Sequence, residues 1–185
     1  CGEGDLMEGI SYEACSLAGT LELNNLILIY DANRVTLDGS IDNTFNESVI
    51  ERFEAMNFEV FEVKNGESIK ELNKVIEKAK RSKKPVLIGV DTVLGKYSKY
   101  EGTNKVHGGP LDNDDIESIR RRLECNSPFT YDEDNMHYLR SMIKERTKEN
   151  YSKWFMEYET YKETHTEEEV EALDSIIKNE DIVLQ

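Results

Sequence analysis

Up to residue 90 the chain alternates between amphipathic segments and short apolar runs. Apolar residues recur at helical spacing in three segments, residues 6–22, 46–56 and 67–81. Short apolar runs predict strands at Leu26–Tyr30, Phe58–Val63 and Val86–Val90. We expect Leu26–Tyr30 to be buried on both faces, as strands of parallel sheets are. The alternation predicts an α/β fold, a partial open parallel sheet with helices on both faces.

The predicted first helix carries an apolar stripe that we expect to face the core. Its members are Ile10, Cys15, Leu17, Ala18 and Leu21. Past the third strand, residues 95–110 are rich in Gly, Lys and Tyr without an apolar period, which predicts a loop at the carboxyl end of a strand, where ligands bind in such sheets. A helix is predicted to start at Asp112 and to run to Arg122.

The last part of the chain reads as a helical tail. Residues 133–149, 150–163 and 166–178 predict three helices, and Thr166 with Glu169 has the spacing of a capping box. Aromatic residues mark one face of this tail, and we expect them to pack on the domain or on a partner. We therefore expect a domain over residues 1–128 and a helical linker over 129–185.

The composition excludes several classes of partner. The formal net charge is −15, so we expect neither nucleic acid nor anionic membrane as a partner. The basic run at residues 78–84 predicts a solvated helix end, and the surplus of Lys in the middle third is compatible with anionic substrates. No apolar run is long enough to span a membrane. Three widely spaced cysteines, Cys1, Cys15 and Cys125, indicate reduced thiols in the cytoplasm.

Two polar motifs lie next to predicted secondary-structure elements, one before the first helix and one after the first strand. Gly2-Glu3-Gly4-Asp5 lies directly before the first helix, where glycines let a backbone approach a phosphate and a helix start favours an anion. Asn33 follows the strand Leu26–Tyr30. Because consecutive parallel strands end at one edge of a sheet, Glu3, Asn33 and the carbonyl of Val35 could hold one hard divalent cation.

The residues around these motifs resemble transketolases. The resemblance runs from GEGDLMEGISYEACSLAG through NLILIYDAN to PVLIGVDTVLGKYS and GTNKVHGGPL, with a weaker match in the helical tail. It implies the thiamine-diphosphate-binding fold and a homodimeric enzyme of the pentose phosphate pathway. Such an enzyme transfers a two-carbon ketol unit between sugar phosphates, using thiamine diphosphate and Mg²⁺ or Ca²⁺.

The resemblance also implies roles for individual residues. Glu3, Asn33 and the main-chain oxygen of Val35 match the metal ligands. Residues matching the cofactor contacts are Gly2, Gly4, Leu37, Leu94 and His107. His107 also matches a histidine near the substrate hydroxyls, and it is our candidate catalytic residue. Glu8 and Glu13 match acids near the dimer contact that are thought to couple the two active sites.

Three positions depart from the family pattern. Glu3 replaces an Asp and is one methylene longer, which matters because Mg²⁺ requires near-ideal octahedral geometry. Asp5 stands where the family often has an uncharged residue, and it could either compensate or repel the diphosphate. Asn104 replaces a common histidine. His137 and His165 lie in the tail, where we expect exposed surface positions.

We expect the chain to be the later part of a diphosphate-binding domain, because it starts inside the glycine-rich turn and lacks the pyrimidine-binding domain. By itself it is then expected to be inactive. Three alternatives stay open: a sibling enzyme such as dihydroxyacetone or deoxyxylulose phosphate synthase, a non-catalytic half-chain that stabilises a complementary chain, and a receiver-type module with Asp31 and Glu3 around a metal.

Overall fold

The chain divides into two compact units, Cys1–Asn126 and Ser127–Gln185. The computed structural model describes residues 1–125, 127 and 129–178. In the first unit the helices are α1 (Glu3–Met7), α2 (Gly9–Thr20), α3 (Val49–Ala55), α4 (Ile69–Ala79) and α5 (Asn113–Arg122). Its strands are β1 (Ile27–Ala32), β2 (Val35–Thr36), β3 (Gly39–Ser40), β4 (Glu59–Val63) and β5 (Val86–Asp91). The second unit contains α6 (Glu133–Thr164) and α7 (Glu167–Ile177).

The main sheet of the first unit is parallel, with the strand order β1-β5-β4. On β5 the partner of Ala32 is Asp91 and the partner of Val63 is Val90, so the three strands end close to one edge. Strands β2 and β3 form a small antiparallel hairpin directly after β1. The predicted parallel α/β architecture is confirmed.

Hydrophobic residues pack on both faces of the central strand β5. Leu87 belongs to one core, which also contains Leu6 from α1 and Phe53 from α3. Ile88 belongs to the other core, which contains Val75 from α4. Because side chains alternate along a strand, β5 contributes to both cores and is buried throughout Val86–Val90. Helices therefore cover both faces of the sheet, as predicted.

Strand β1 differs from its prediction of burial on both faces. The side chain of Ile29 is 47% exposed. The reason is the position of β1, which pairs with β5 along one side only. Along its other side, the backbone hydrogen bonds of β1 within the described residues are made with Cys1: the Cys1 nitrogen donates to the Ile29 carbonyl, and the Asp31 N–H donates to the Cys1 carbonyl, both at 2.9 Å.

The predicted helix over residues 6–22 is two helices. It begins earlier, at Glu3, and Glu8 interrupts it with an extended backbone (ψ 136°). In α2 only part of the apolar stripe faces the core: Cys15 and Ala18 are buried, whereas Ile10, Leu17 and Leu21 are exposed. Gly19 lies on the buried face and sets the approach of α2, since it packs directly on the backbone carbonyl of Met56.

The second unit is helical, as predicted, but the predicted break near residue 150 is absent. Helix α6 runs continuously from Glu133 to Thr164, a segment without Gly or Pro. The capping box of Thr166 and Glu169 is confirmed at the start of α7. The Tyr158 hydroxyl donates to Asp174 and ties the two helices together. His137 and His165 are exposed, as expected.

A search for candidate membrane-spanning helices found none in the parts of the chain that the structure describes.

The contact at Gly19 predicts a strong effect of one methyl group. A Cβ at this position would lie 1.7 Å from the Met56 carbonyl oxygen, which belongs to backbone and cannot rotate away. We expect Gly19→Ala to lower the free energy of unfolding by about 1–3 kcal/mol, as overpacking does. Urea denaturation of the wild type and the variant measures this difference in the free energy of unfolding. The control Ser16→Ala changes an exposed position of the same helix, and equal stability of the two variants would contradict the close contact.

Candidate functional site

The candidate site lies where β1 ends and α1 begins. Cys1 is bonded alongside β1, so Gly2 and Glu3 follow at the same edge of the sheet at which β1 ends. After β1 the chain turns through Asn33 and Arg34 into the β2–β3 hairpin. The glycine-rich turn and the Asn33 turn are therefore neighbours in space.

Glu3 joins these two turns. Its side chain is buried, with the residue only 1% exposed. Its Oε1 atom accepts a hydrogen bond of 2.5 Å from the backbone N–H of Arg34 and one of 3.5 Å from the Tyr30 hydroxyl. The structure thus places the Glu3 carboxylate against the residue between Asn33 and Val35, the two other candidate metal ligands.

Tyr30 shows the effect of this buried carboxylate. Burial raises the pKa of Tyr30, and the charge of Glu3 and the hydrogen bond to it raise the pKa further, to about 12. The Tyr30 phenol therefore stays protonated and donates to Glu3 throughout the physiological pH range. This bond was not foreseen, because the apolar run around Tyr30 indicated only a core residue.

The amide of Asn33 is held in one orientation. Its Oδ1 accepts from the Val35 N–H at 2.9 Å, and its Nδ2 donates to Oδ2 of Asp31 at 3.3 Å. The other oxygen of Asp31 accepts from the Thr92 hydroxyl at the end of β5. Asp31 is therefore a supporting residue that orients Asn33, a role that sequence reasoning missed.

Packing among the described residues does not require glycine at positions 2 and 4. A Cβ at either position would meet no atom within 4 Å in the described part of the chain, and neither residue has a positive φ. Glycine within a helix costs about 0.5–1 kcal/mol relative to alanine, so Gly4 in α1 weakens that helix. Both glycines leave open space beside the backbone at the start of α1.

Asp5 has a local structural role. Its Oδ2 accepts a hydrogen bond of 2.8 Å from the Gly2 N–H and closes the first turn of α1. This N–H is therefore already paired in the structure, which limits what Gly2 can offer to an anion.

The loop after β5 brings Leu37, Leu94 and His107 into one region. The Leu94 carbonyl accepts from the Gly102 N–H at 2.7 Å, and the Asn104 side chain donates to the Leu37 carbonyl at 3.4 Å. His107 directly follows the 3₁₀ turn Asn104–Val106 and is half-buried. Within the described residues its ring has no hydrogen-bond partner.

Glu8 and Glu13 lie apart from this arrangement. Both side chains are exposed, Glu8 between α1 and α2 and Glu13 on α2. No hydrogen bond or ion pair in the described residues links either carboxylate to the Asn33 turn. Nor do three His, Cys, Asp or Glu side chains converge on a common point within the described residues.

Comparison with known families identifies the arrangement. The model of the family described as "Transketolase, thiamine diphosphate binding domain" matches residues 1–181. The chain belongs to this transketolase family.

Known transketolases align with nearly the whole chain. The chain is 42% identical to the transketolase of Bacillus subtilis over 97% of its own length, and 41% identical to transketolase 1 of Saccharomyces cerevisiae over 85%. It covers 27% and 24% of those proteins. The chain therefore spans about a quarter of the length of these relatives.

Solved transketolase structures have the same fold. The transketolase of Leishmania mexicana superposes with a TM-score of 0.84 at 36% identity, over 97% of this chain and 27% of that one. That of Campylobacter jejuni gives 0.80 at 41% identity, over 88% and 26%. The structure from Pichia stipitis, in complex with sedoheptulose-7-phosphate, gives 0.83 at 32% identity, over 97% and 27%.

In this transketolase-family site, the raised pKa of Tyr30 predicts a loss of folding stability at alkaline pH. The folded state holds the phenol proton more tightly than the unfolded state, whose pKa is near 10. The contribution of the Tyr30 phenol to the free energy of unfolding is therefore complete below pH 10 and is lost as the pH rises towards 12. We expect the unfolding free energy of Tyr30→Phe to fall less than that of the wild type above pH 10. Parallel slopes in denaturation at pH 8–11 would contradict the shifted pKa.

Proposed function

We propose that this chain forms the diphosphate- and metal-binding part of a transketolase that transfers a two-carbon ketol unit between sugar phosphates. The observation that carries the proposal is the contact between Glu3 and the backbone of Arg34, because it joins the glycine-rich turn to the Asn33–Val35 turn. The chain matches about a quarter of its relatives' length, so the activity belongs to the whole protein.

The donor atoms at this point suit a hard divalent cation. Glu3 offers a carboxylate, Asn33 an amide oxygen and Val35 a main-chain carbonyl, and all three are the oxygen ligands that Mg²⁺ and Ca²⁺ prefer. In the described part of the chain no hydrogen bond reaches Oε2 of Glu3, whereas Oε1 is bonded to Arg34. We propose that Glu3, Asn33 and Val35 hold Mg²⁺ or Ca²⁺.

Thiamine diphosphate fits the same place. The open space at Gly2 and Gly4 would let the diphosphate approach the backbone at the start of α1. Asp5 lies close by, and its charge opposes an anion that the cation does not neutralise. Binding of the diphosphate should therefore depend strictly on the metal.

The remaining candidate residues would orient the cofactor and the substrate. Leu37 and Leu94 supply apolar surface for the ring of the cofactor, and His107 supplies an imidazole without a partner in the described chain for the diphosphate or for substrate hydroxyls. Bound thiamine diphosphate would supply the nucleophilic carbon and the electron sink of the reaction. We propose His107 as a catalytic residue on this basis.

The exposed acids fit an interface between two copies. Glu8 and Glu13 are exposed, and so is the apolar residue Ile10, which lies three positions before Glu13 on α2. We propose that they contact the second subunit of a homodimer and couple its two sites. We also propose that the protein works in the cytoplasm, since its three cysteines are free, as in a reducing compartment. The proposed ketol transfer between sugar phosphates would place it in the pentose phosphate pathway.

The comparisons bear differently on the three alternative functions that the sequence left open. The receiver-type module is wrong, since the family match covers nearly the whole chain. The relatives compared above are transketolases, which favours that activity over a sibling thiamine enzyme. The non-catalytic half-chain stays an alternative, and tests of activity and cofactor binding decide it.

The metal dependence can be measured by calorimetry on the full-length protein. We expect thiamine diphosphate to bind with Mg²⁺ present and to lose affinity in a chelator. Asn33→Ala should weaken binding on the order of tenfold or more, as loss of a metal-site group does. The control Asn25→Ala removes an exposed amide before β1 and should bind normally. Equal affinity in chelator would overturn the proposed site.

The short length of the chain predicts that it does not act alone. We expect the purified 185-residue chain to show no ketol transfer, because it covers 27% of the Bacillus subtilis relative and offers only the anchor for the cofactor. The full-length protein, assayed in parallel with a ketose phosphate and an aldose phosphate, is the control. Turnover by the chain alone would contradict the prediction.

A further inference from the structure

Arg34 has a backbone conformation that a non-glycine residue rarely adopts. Its φ is 63°, in the left-handed region, and it lies between the two proposed ligands Asn33 and Val35. A residue in this region is strained and keeps its conformation only when its surroundings hold it there. The orientation of the Asn33 turn therefore depends on what holds Arg34.

Three contacts hold Arg34. Its N–H donates to the Glu3 carboxylate, its carbonyl accepts from the Ile41 N–H at 3.2 Å, and its guanidinium pairs with Asp42 at 2.7 Å. The ion pair with Asp42 is exposed on both sides, at 70% and 66%, so it contributes little. The bond that Arg34 donates to Glu3 is part-buried, and its acceptor is a carboxylate. Bonds to a charged acceptor are about twice as strong as neutral ones.

The Glu3 side chain connects the start of α1 to the Arg34 turn. Glu3 is the first residue of α1, and its Oε1 accepts from the Arg34 N–H while Tyr30 donates to the same oxygen. Both donors belong to this chain, so the contact does not need a cation as one of its partners. Through Arg34, the same contact acts on the residue between Asn33 and Val35.

We propose that Glu3 is a positioning residue: its carboxylate holds the left-handed turn at Arg34, so that Asn33 and Val35 are in place before a cation arrives. The proposal rests on the proposed function for the identity of the site. It assigns Glu3 a role in the metal-free protein that a residue acting only as a ligand does not have. Any bond from Oε2 to the cation is additional to this role.

Hydrogen exchange of the metal-free, full-length protein tests the proposal. The peptide covering residues 31–36 should be protected in the wild type before Mg²⁺ is added. In Glu3→Ala its exchange should become faster on the order of tenfold or more, the effect expected for loss of a bond to a charged acceptor. Glu3→Gln keeps an oxygen that can accept from Arg34 but loses the charge, so its exchange should lie between the rates of the wild type and Glu3→Ala. The control Asp42→Ala removes the exposed contact and should have little effect.

Two results would overturn the positioning role. One is a wild-type segment that is protected only after Mg²⁺ is added, which marks Glu3 as a ligand alone. The other is exchange in Glu3→Ala at the wild-type rate, or exchange in Glu3→Gln as fast as in Glu3→Ala. If Glu3→Ala fails to fold, the metal-free wild type and Glu3→Gln still decide the matter.

Calorimetry with thiamine diphosphate and Mg²⁺ separates this proposal from the function. Absence of binding by the wild type would remove the proposed function but leave the exchange result standing. Normal binding with an unprotected metal-free turn would remove the positioning role alone.

Discussion

The pairing of β1 and β4 on the central strand β5 is the constraint on which the rest depends. Its register places Ala32 opposite Asp91 and Val63 opposite Val90, so the chain leaves all three strands near one edge. The strand β5 also contributes to both hydrophobic cores, and so it fixes the helices on the two faces. The site at Glu3 and Asn33 lies at this edge because the chain leaves β1 there beside the turn that follows Cys1.

At the candidate site some residues lower the local stability of the chain, while their neighbours leave open space and hold oxygen atoms in position. Glycine at position 4 weakens a five-residue helix, and Arg34 keeps an unfavourable backbone conformation. The surroundings compensate through buried contacts: Glu3 to Arg34 and Tyr30, and Asp31 between Asn33 and Thr92. Departures from local preference at functional sites are what sequences with a ligand to hold commonly show.

Sequence patterns predicted the architecture well and the contacts of the site poorly. Apolar runs located the three strands, and the motif spacing brought Glu3 and Asn33 to one edge. The break at Glu8 was missed because apolar periodicity continues across it. The continuous α6 was divided near residue 150 although the segment contains neither Gly nor Pro. The positive φ of Arg34 and the bond of Tyr30 to Glu3 depend on tertiary neighbours, which no local pattern encodes.

The outer side of β1 has a consequence for strand pairing. Within the described residues only Cys1 is bonded to this side, and Ile29 and Leu37 expose apolar surface in the same unit. A strand edge with free backbone groups and apolar neighbours is a template for pairing with another chain. In this chain by itself, the outer side of β1 is therefore a surface at which a further strand could pair.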